Sequence, residues 1–202
     1  MVSRYYVSYF WIMVGTKLTE KLKQEADRYL NLPYMTNVLR NGKIIKERFM
    51  GAKGNWKEIQ KETKRLAKLE NIDLDKLNPK KLYNFQKKHK IGIDCSGLVV
   101  QLINYYGKLI GKNIDLNPRK TSAEMLTSQP LSQKIADYDL IQSGDLIRQK
   151  NGHHILFILD KKGRIIDYIQ SSFEGRGVKY GRVDIYDPLF DNQGIFRLTK
   201  LA

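Results

Sequence analysis

The spacing of apolar residues changes near residue 140, and that change restricts the chain to helices first and strands afterwards. Before it the period is helical: Leu18, Leu22, Ala26 and Leu30 recur every fourth residue, predicting a helix from about Thr16 to Leu30 that stops before "NLPY". Asn55 with Glu58 forms a capping-box pattern for a helix running to about Leu69, and Asn78-Pro79 opens a short helix carrying Leu82 and Phe85. After residue 140 the segments "GDLIRQ", "HHILFILD", "RIIDYIQSS", "GVKYGRVDIY" and "GIFRLTK" read as strands, separated by turn signals at "KNG", "KKG" and "EGRG". Helices followed by a mainly antiparallel sheet make an α+β fold. With 202 residues, 42% of them apolar, the chain can bury one full core. A single domain over residues 1–202 is expected, and no internal repeat is visible.

Charge is concentrated rather than spread. Residues 40–90 hold 16 basic and 6 acidic side chains, so ten of the fifteen net positive charges sit there. Such a stretch suits an anionic partner such as a nucleic acid, an acidic membrane or a wall polymer, and it equally serves to solvate exposed helices. Nucleic acid is disfavoured, because no aromatic cluster interleaves the lysines to form a stacking platform. At the N-terminus, residues 5 to 14 are apolar or aromatic apart from Ser8. That run is too short to span a bilayer, and no small-residue cleavage site follows it. No transmembrane segment is expected, and the run reads as a docked strand or as an extension upstream of a start at Met13. One cysteine and three histidines, with no HExxH or CxxC spacing, are a poor supply of metal ligands. Neither a metal nor a cofactor is expected.

The single cysteine lies in "HKIGIDCSGLVVQL", residues 89–102. Leu98, Leu102, Tyr105 or Tyr106, and Leu109 follow at helical spacing, and Gly111 is a plausible stop. Asp94 is then the N-cap and Cys95 falls in the first helical turn. There, unpaired N–H groups and the helix dipole favour a thiolate, and the thiol pKa is expected to fall by about one to several units from ~8.5. Gly97 is expected to leave room beside the sulfur for a substrate backbone. A nucleophilic cysteine needs a base. His89, flanked by lysines, reads as a surface residue, whereas His153 and His154 open an apolar strand. Neighbouring strand residues point to opposite faces, so one of that pair alone can look toward the cysteine helix.

"DCSGLVV" resembles the nucleophile motif of the NlpC-type cell-wall cysteine peptidases, a papain-like clan. The neighbours follow in order. "ADRYLNLPY" is similar to the helix and "PY" that precede the nucleophile, and "PRKTSAEML" to the threonine-serine helix. "DLIQSGDLI" is similar to the "GDL" strand, "HHILFILD" to the histidine strand, and "YIQSSFEGRGV" to the strand of the third catalytic residue. The resemblance implies an NlpC-type fold with the cysteine helix against an antiparallel sheet. It also implies hydrolysis of the short peptides of peptidoglycan, often at a D-glutamyl to diamino-acid bond, and a cell-envelope or secreted location. Cys95 would be the nucleophile. The family strand pattern favours His154 over His153 as the base. "YIQSS" places Gln170 as the third residue, while a tight hairpin count places Asp167 there; these two alternate faces, and Gln170 is preferred. Tyr34, Asp94 and Ser96 occupy positions that contact substrate in the family.

The chain also departs from that pattern. About sixty residues separate Tyr34 from Cys95, so residues 37–89 read as a basic helical insertion, expected to dock on anionic wall polymer. Leu156 replaces a small residue of the family strand and is expected to crowd the cleft. Two other functions fit the same residues: a papain-like amidase or acyltransferase on another amide or lipid, and a catalytically silent wall-binding module.

Overall fold

The computed structural model of the protein describes residues 17–41 and 43–202. The expected N-terminal strand lies outside the described residues. Helix α1 covers 17–27 and is shorter than its apolar period suggests. Residues 28–30 tighten into i→i−3 hydrogen bonds, and Asn31 turns left-handed (φ 63°) to donate its N–H to Val178. The expected caps are present. In helix α2 (Trp56–Leu69) the Asn55 side chain accepts the Glu58 N–H and Glu58 returns to the Asn55 N–H; helix α3 (Pro79–Lys88) opens on Asn78 with proline in its first turn.

Between them and α1 lies a hairpin, β1 (Val38–Arg40) with β2 (Lys43–Lys46), that helical periodicity does not reveal. The "RNGK" turn was its only signal. An isolated parallel bridge between Tyr34 and Ile93 brings the two ends of the 37–89 segment together. The chain leaves the body and returns at one point, immediately before helix α4 (Cys95–Leu109). A short helix α5 (Ala123–Leu126) is capped by Ser122.

Six strands form one antiparallel sheet: β3 (Ser132–Ile135), β4 (Leu146–Gln149), β5 (His154–Lys162), β6 (Ile165–Ser172), β7 (Gly177–Asp184) and β8 (Ile195–Leu198), in the order β3-β8-β4-β5-β6-β7. The fold is α+β with five helices among the described residues. Strand β5 is apolar without a break from Ile155 to Leu159 because both faces of the sheet are covered there. Ile155, Phe157 and Leu159 pack with Leu98, Val99, Leu102 and Ile103 of α4 and with Leu22 and Ala26 of α1. Leu156 and Ile158 pack with Ile147, Ile166, Ile185 and Ile195 on the opposite face. Each fully buried Leu or Ile contributes about 1.5–3 kcal/mol, and this packing fixes where the first turn of α4 meets the sheet. Leu156 is therefore core, away from the cleft it was expected to crowd.

The "GDL" start of β4 has its own physical reason. Gly144 adopts φ +91°, and a Cβ there would stand 2.6 Å from the Tyr106 ring of α4. Asp145, almost fully buried, accepts two hydrogen bonds from Arg197 of β8 at 2.7 and 2.8 Å. Among the described residues no helix is long and apolar enough to cross a membrane.

Candidate active site

Asp94 builds the corner in which the site sits. It holds an extended backbone before α4, and its Oδ1 accepts the Gly97 N–H at 2.6 Å, a cap worth about 1 kcal/mol. The same carboxylate is held by the Lys53 ammonium at 2.9 Å, and Lys53 also donates to the Ser96 hydroxyl. Burial pushes the Asp94 carboxyl above its usual range, with Lys53 as the main opposing influence. Lys53 belongs to the 37–89 segment and was not among the residues singled out from sequence. Nothing in "MGAKGNW" distinguishes it from the other lysines there, and its partner lies 41 positions away.

Cys95 is only 7% exposed. Its sulfur lies 3.9 Å from the His153 carbonyl oxygen and is approached by the backbone N–H groups of Ser96 and Ile155. The thiol therefore rests against the two peptide groups that flank His154, and the imidazole springs from the Cα between them. Room for this exists because the β5–β6 ladder stops at Phe157 opposite Ile169. Continued one to one, it would place Ile155 opposite Ser171; instead the Ser171 hydroxyl donates to the Ile93 carbonyl at 2.7 Å. The start of α4 lodges in the opening.

The two adjacent histidines separate, though not by strand alternation: β5 begins at His154, and His153 is the helical-conformation residue (φ −83°, ψ −9°) that ends the preceding turn. His154 is buried, and its Nε2 lies 2.7 Å from Gln170 Oε1. An amide oxygen only accepts, so Nε2 carries the proton and Nδ1 of the neutral ring is left as the acceptor. Burial lowers the His154 pKa, opposed chiefly by the Gln170 hydrogen bond. The side chain of His153 is exposed at the mouth of the cleft. Asp167 stands apart on β6: Arg182 grips it at 2.5 and 3.0 Å, Lys23 lies 3.8 Å away, and the Arg182 hydrogen bonds hold its carboxyl below the usual range.

A cleft of about 430 Å³ opens onto the thiol, lined by Tyr34, Lys53, Cys95, Ser96, Arg119 and His153 among others. Tyr34 is half-buried, and burial, reinforced by Cys95 and Asp94, pushes its phenol to about 12. It stays protonated and can donate into the cleft. Two expectations fail here. The space beside Gly97 is not open to a substrate backbone, because a Cβ there would meet the Ala52 carbonyl at 2.9 Å and the Lys53 stem at 3.0 Å. The thiol is not acidified either: burial, followed by the Asp94 charge, pushes it up to about 11, beyond what Lys53 and the two N–H groups recover.

Thiol and imidazole are therefore both neutral at rest near pH 7. Because the thiolate is the reactive form, alkylation of Cys95 by iodoacetamide should climb about tenfold per pH unit from neutrality and level off only near pH 11. A rate that is flat between about pH 5 and 8 would instead reveal a preformed thiolate–imidazolium pair. No family model, curated protein or solved structure matches this chain. What characterises it is the site itself: a thiol at a capped helix start, an imidazole held by an amide on the flanking strands, and a partly buried lysine brought in from a distant segment.

Proposed function

We propose that the chain is a cysteine peptidase of the papain-like, NlpC-type fold that hydrolyses short peptides of peptidoglycan, at a bond of the D-glutamyl to diamino-acid type. The observation that carries this reading is the seating of the Cys95 sulfur against both peptide groups that flank His154, whose ring is fixed by Gln170. Nδ1 of His154 takes the thiol proton as Sγ attacks the substrate carbonyl carbon, so the charge develops only in the transition state. Backbone N–H groups at the start of α4 hold the resulting oxyanion. The protonated imidazole gives its proton to the leaving amine as the C–N bond breaks, leaving a thioester on Cys95. A water deprotonated by His154 then attacks the thioester, releasing the acid and the thiol. Gln170 keeps the ring in the required tautomer, and Tyr34, Asp94 and Ser96 form the substrate-facing wall.

The test is incubation with defined muropeptides, followed by mass spectrometry for new amine termini. Cleavage of other amides with muropeptides untouched would favour the amidase or acyltransferase reading, since fold and triad do not set the substrate.

The basic segment is proposed to dock on anionic wall polymer. Helix α2 buries Ile59, Thr63 and Ala67 and leaves Lys57, Lys61, Lys64 and Lys68 exposed, which makes the far face a cationic stripe. Replacing these four lysines by glutamine should weaken binding to whole sacculi and flatten its salt dependence. Cleavage of a small soluble muropeptide should hardly change, because the stripe's field is screened over about 8 Å at physiological salt. Unchanged sacculus binding with an unchanged salt slope would mean that the lysines only solvate the helix.

A further inference from the structure

We propose that Lys53 plugs the acceptor corner of the cleft, so that the enzyme takes substrates bearing a carboxylate, and no free amine, beside the scissile amide. The proposal rests on the peptidase reading above and names the substrate class. A carboxylate and a hydroxyl set together beside a nucleophile form an acceptor set suited to a cation. Here a cation of the chain itself already occupies the set. The ammonium donates to Asp94 Oδ1 at 2.9 Å and to the Ser96 hydroxyl, and Asp94 Oδ2 also lies 2.9 Å from it. An incoming substrate amine would have to compete with Lys53 for those acceptors and would face a like charge.

Lys53 is seated from both sides. Met50, Gly51 and Ala52 are successive left-handed residues (φ 52°, 66° and 62°), a rare conformation for the two that are not glycine, and they turn Lys53 onto the start of α4. The Ala52 carbonyl accepts the Asp94 N–H at 3.0 Å, and the Lys53 carbonyl accepts from Gln101 of α4 at 3.0 Å. The lysine stem crosses Gly97, where a Cβ would come within 3.0 Å of it and 2.9 Å of the Ala52 carbonyl oxygen. A lysine clamped by its own backbone and leaving 14% of its side chain exposed belongs to the wall of the cleft.

Elsewhere in the lining the charges are of the opposite kind to those an amine needs. Arg119 and Lys120 line it, and the Arg119 guanidinium rests on the neutral Met50 sulfur at 3.0 Å. Of the two carboxylates lining the cleft, Asp94 is engaged by Lys53, which leaves Glu124. The remaining balance is positive, and a carboxylate is its natural complement.

The experiment uses two peptides with the same scissile bond. In one the residue on its acyl side carries a free amine; in the other that amine is succinylated, which replaces the cation by a carboxylate. The wild-type protein should prefer the succinylated peptide in kcat/KM by at least about tenfold, and Lys53→Met should move the ratio toward the free amine by a similar factor. Should Lys53→Met fail to fold, the double variant Arg119→Gln, Lys120→Gln carries the test, with kcat/KM for the succinylated peptide expected to fall about tenfold, mainly through KM. A ratio near one in the wild type, or a ratio that neither variant moves, overturns the role of Lys53 and leaves the hydrolase reading standing. Cleavage of neither these peptides nor muropeptides by the wild type overturns the hydrolase reading, and this inference with it.

Discussion

Cys95→Ala should lower hydrolysis of a cleavable muropeptide by on the order of 10³-fold or more while leaving the protein folded. Activity is expected to vanish because every covalent step of the proposed cycle passes through Sγ, and Cys95 is the only cysteine in the chain. The fold is expected to survive because the thiol's polar contacts are weak, the one hydrogen bond it donates being 3.9 Å to a carbonyl oxygen. Removing it leaves a small cavity at a cost of about 1 kcal/mol, and the helix start is held by Asp94 rather than by the thiol. Turnover by the variant together with an unchanged circular dichroism spectrum and melting midpoint is the informative pair. Hydrolysis retained at the wild-type rate would rule out Cys95 as the nucleophile.

His154→Ala should cost on the order of 10²- to 10⁴-fold in kcat, and His153→Ala less than about tenfold. The two rings differ in environment. His154 is buried and bonded to Gln170 at 2.7 Å, whereas the His153 side chain is exposed and only its carbonyl oxygen meets the sulfur. The His154 variant also strands the Gln170 amide, for a stability loss of about 1–3 kcal/mol. The pH profile of the wild type carries a matching sign. The proposed base must be neutral, and burial lowers its pKa below the ordinary imidazole value of about 6.5. Activity should therefore persist as pH falls past 6.5 and disappear only as pH drops through the depressed value. The reverse ranking of the two variants, or an acid limb above pH 6.5, would remove His154 from the role.

What the sequence alone determined is the part governed by neighbours a few residues away. The capping box of α2, the Asn78-Pro79 start of α3, the Asp94 cap of α4 and four of the tight-turned strands all rest on contacts between residues close in the chain, and each appears in its local pattern. Strand alternation was expected to separate the two histidines, but the strand begins only at His154 and the turn that ends at His153 does the separating. The hairpin β1–β2 and strand β3 were less legible. The sequence "KIIK" leaves every residue exposed, and "SQKI" buries only its first fully, so neither carries a strong apolar period.

The site's electrostatics were decided by the tertiary structure. Lys53 meets Asp94 across 41 residues because the segment between Tyr34 and Ile93 leaves and returns at one point, a closure that no local pattern records. That approach fills the space beside Gly97 that the sequence left open. It also helps bury the N-terminal turn of α4, where the dipole and free N–H groups favour a thiolate but desolvation opposes it more strongly, and the thiol rises to about 11. The reason is physical: backbone geometry depends on the nearest few residues, whereas the ionisation of a side chain depends on whatever the rest of the chain brings within a few ångströms of it.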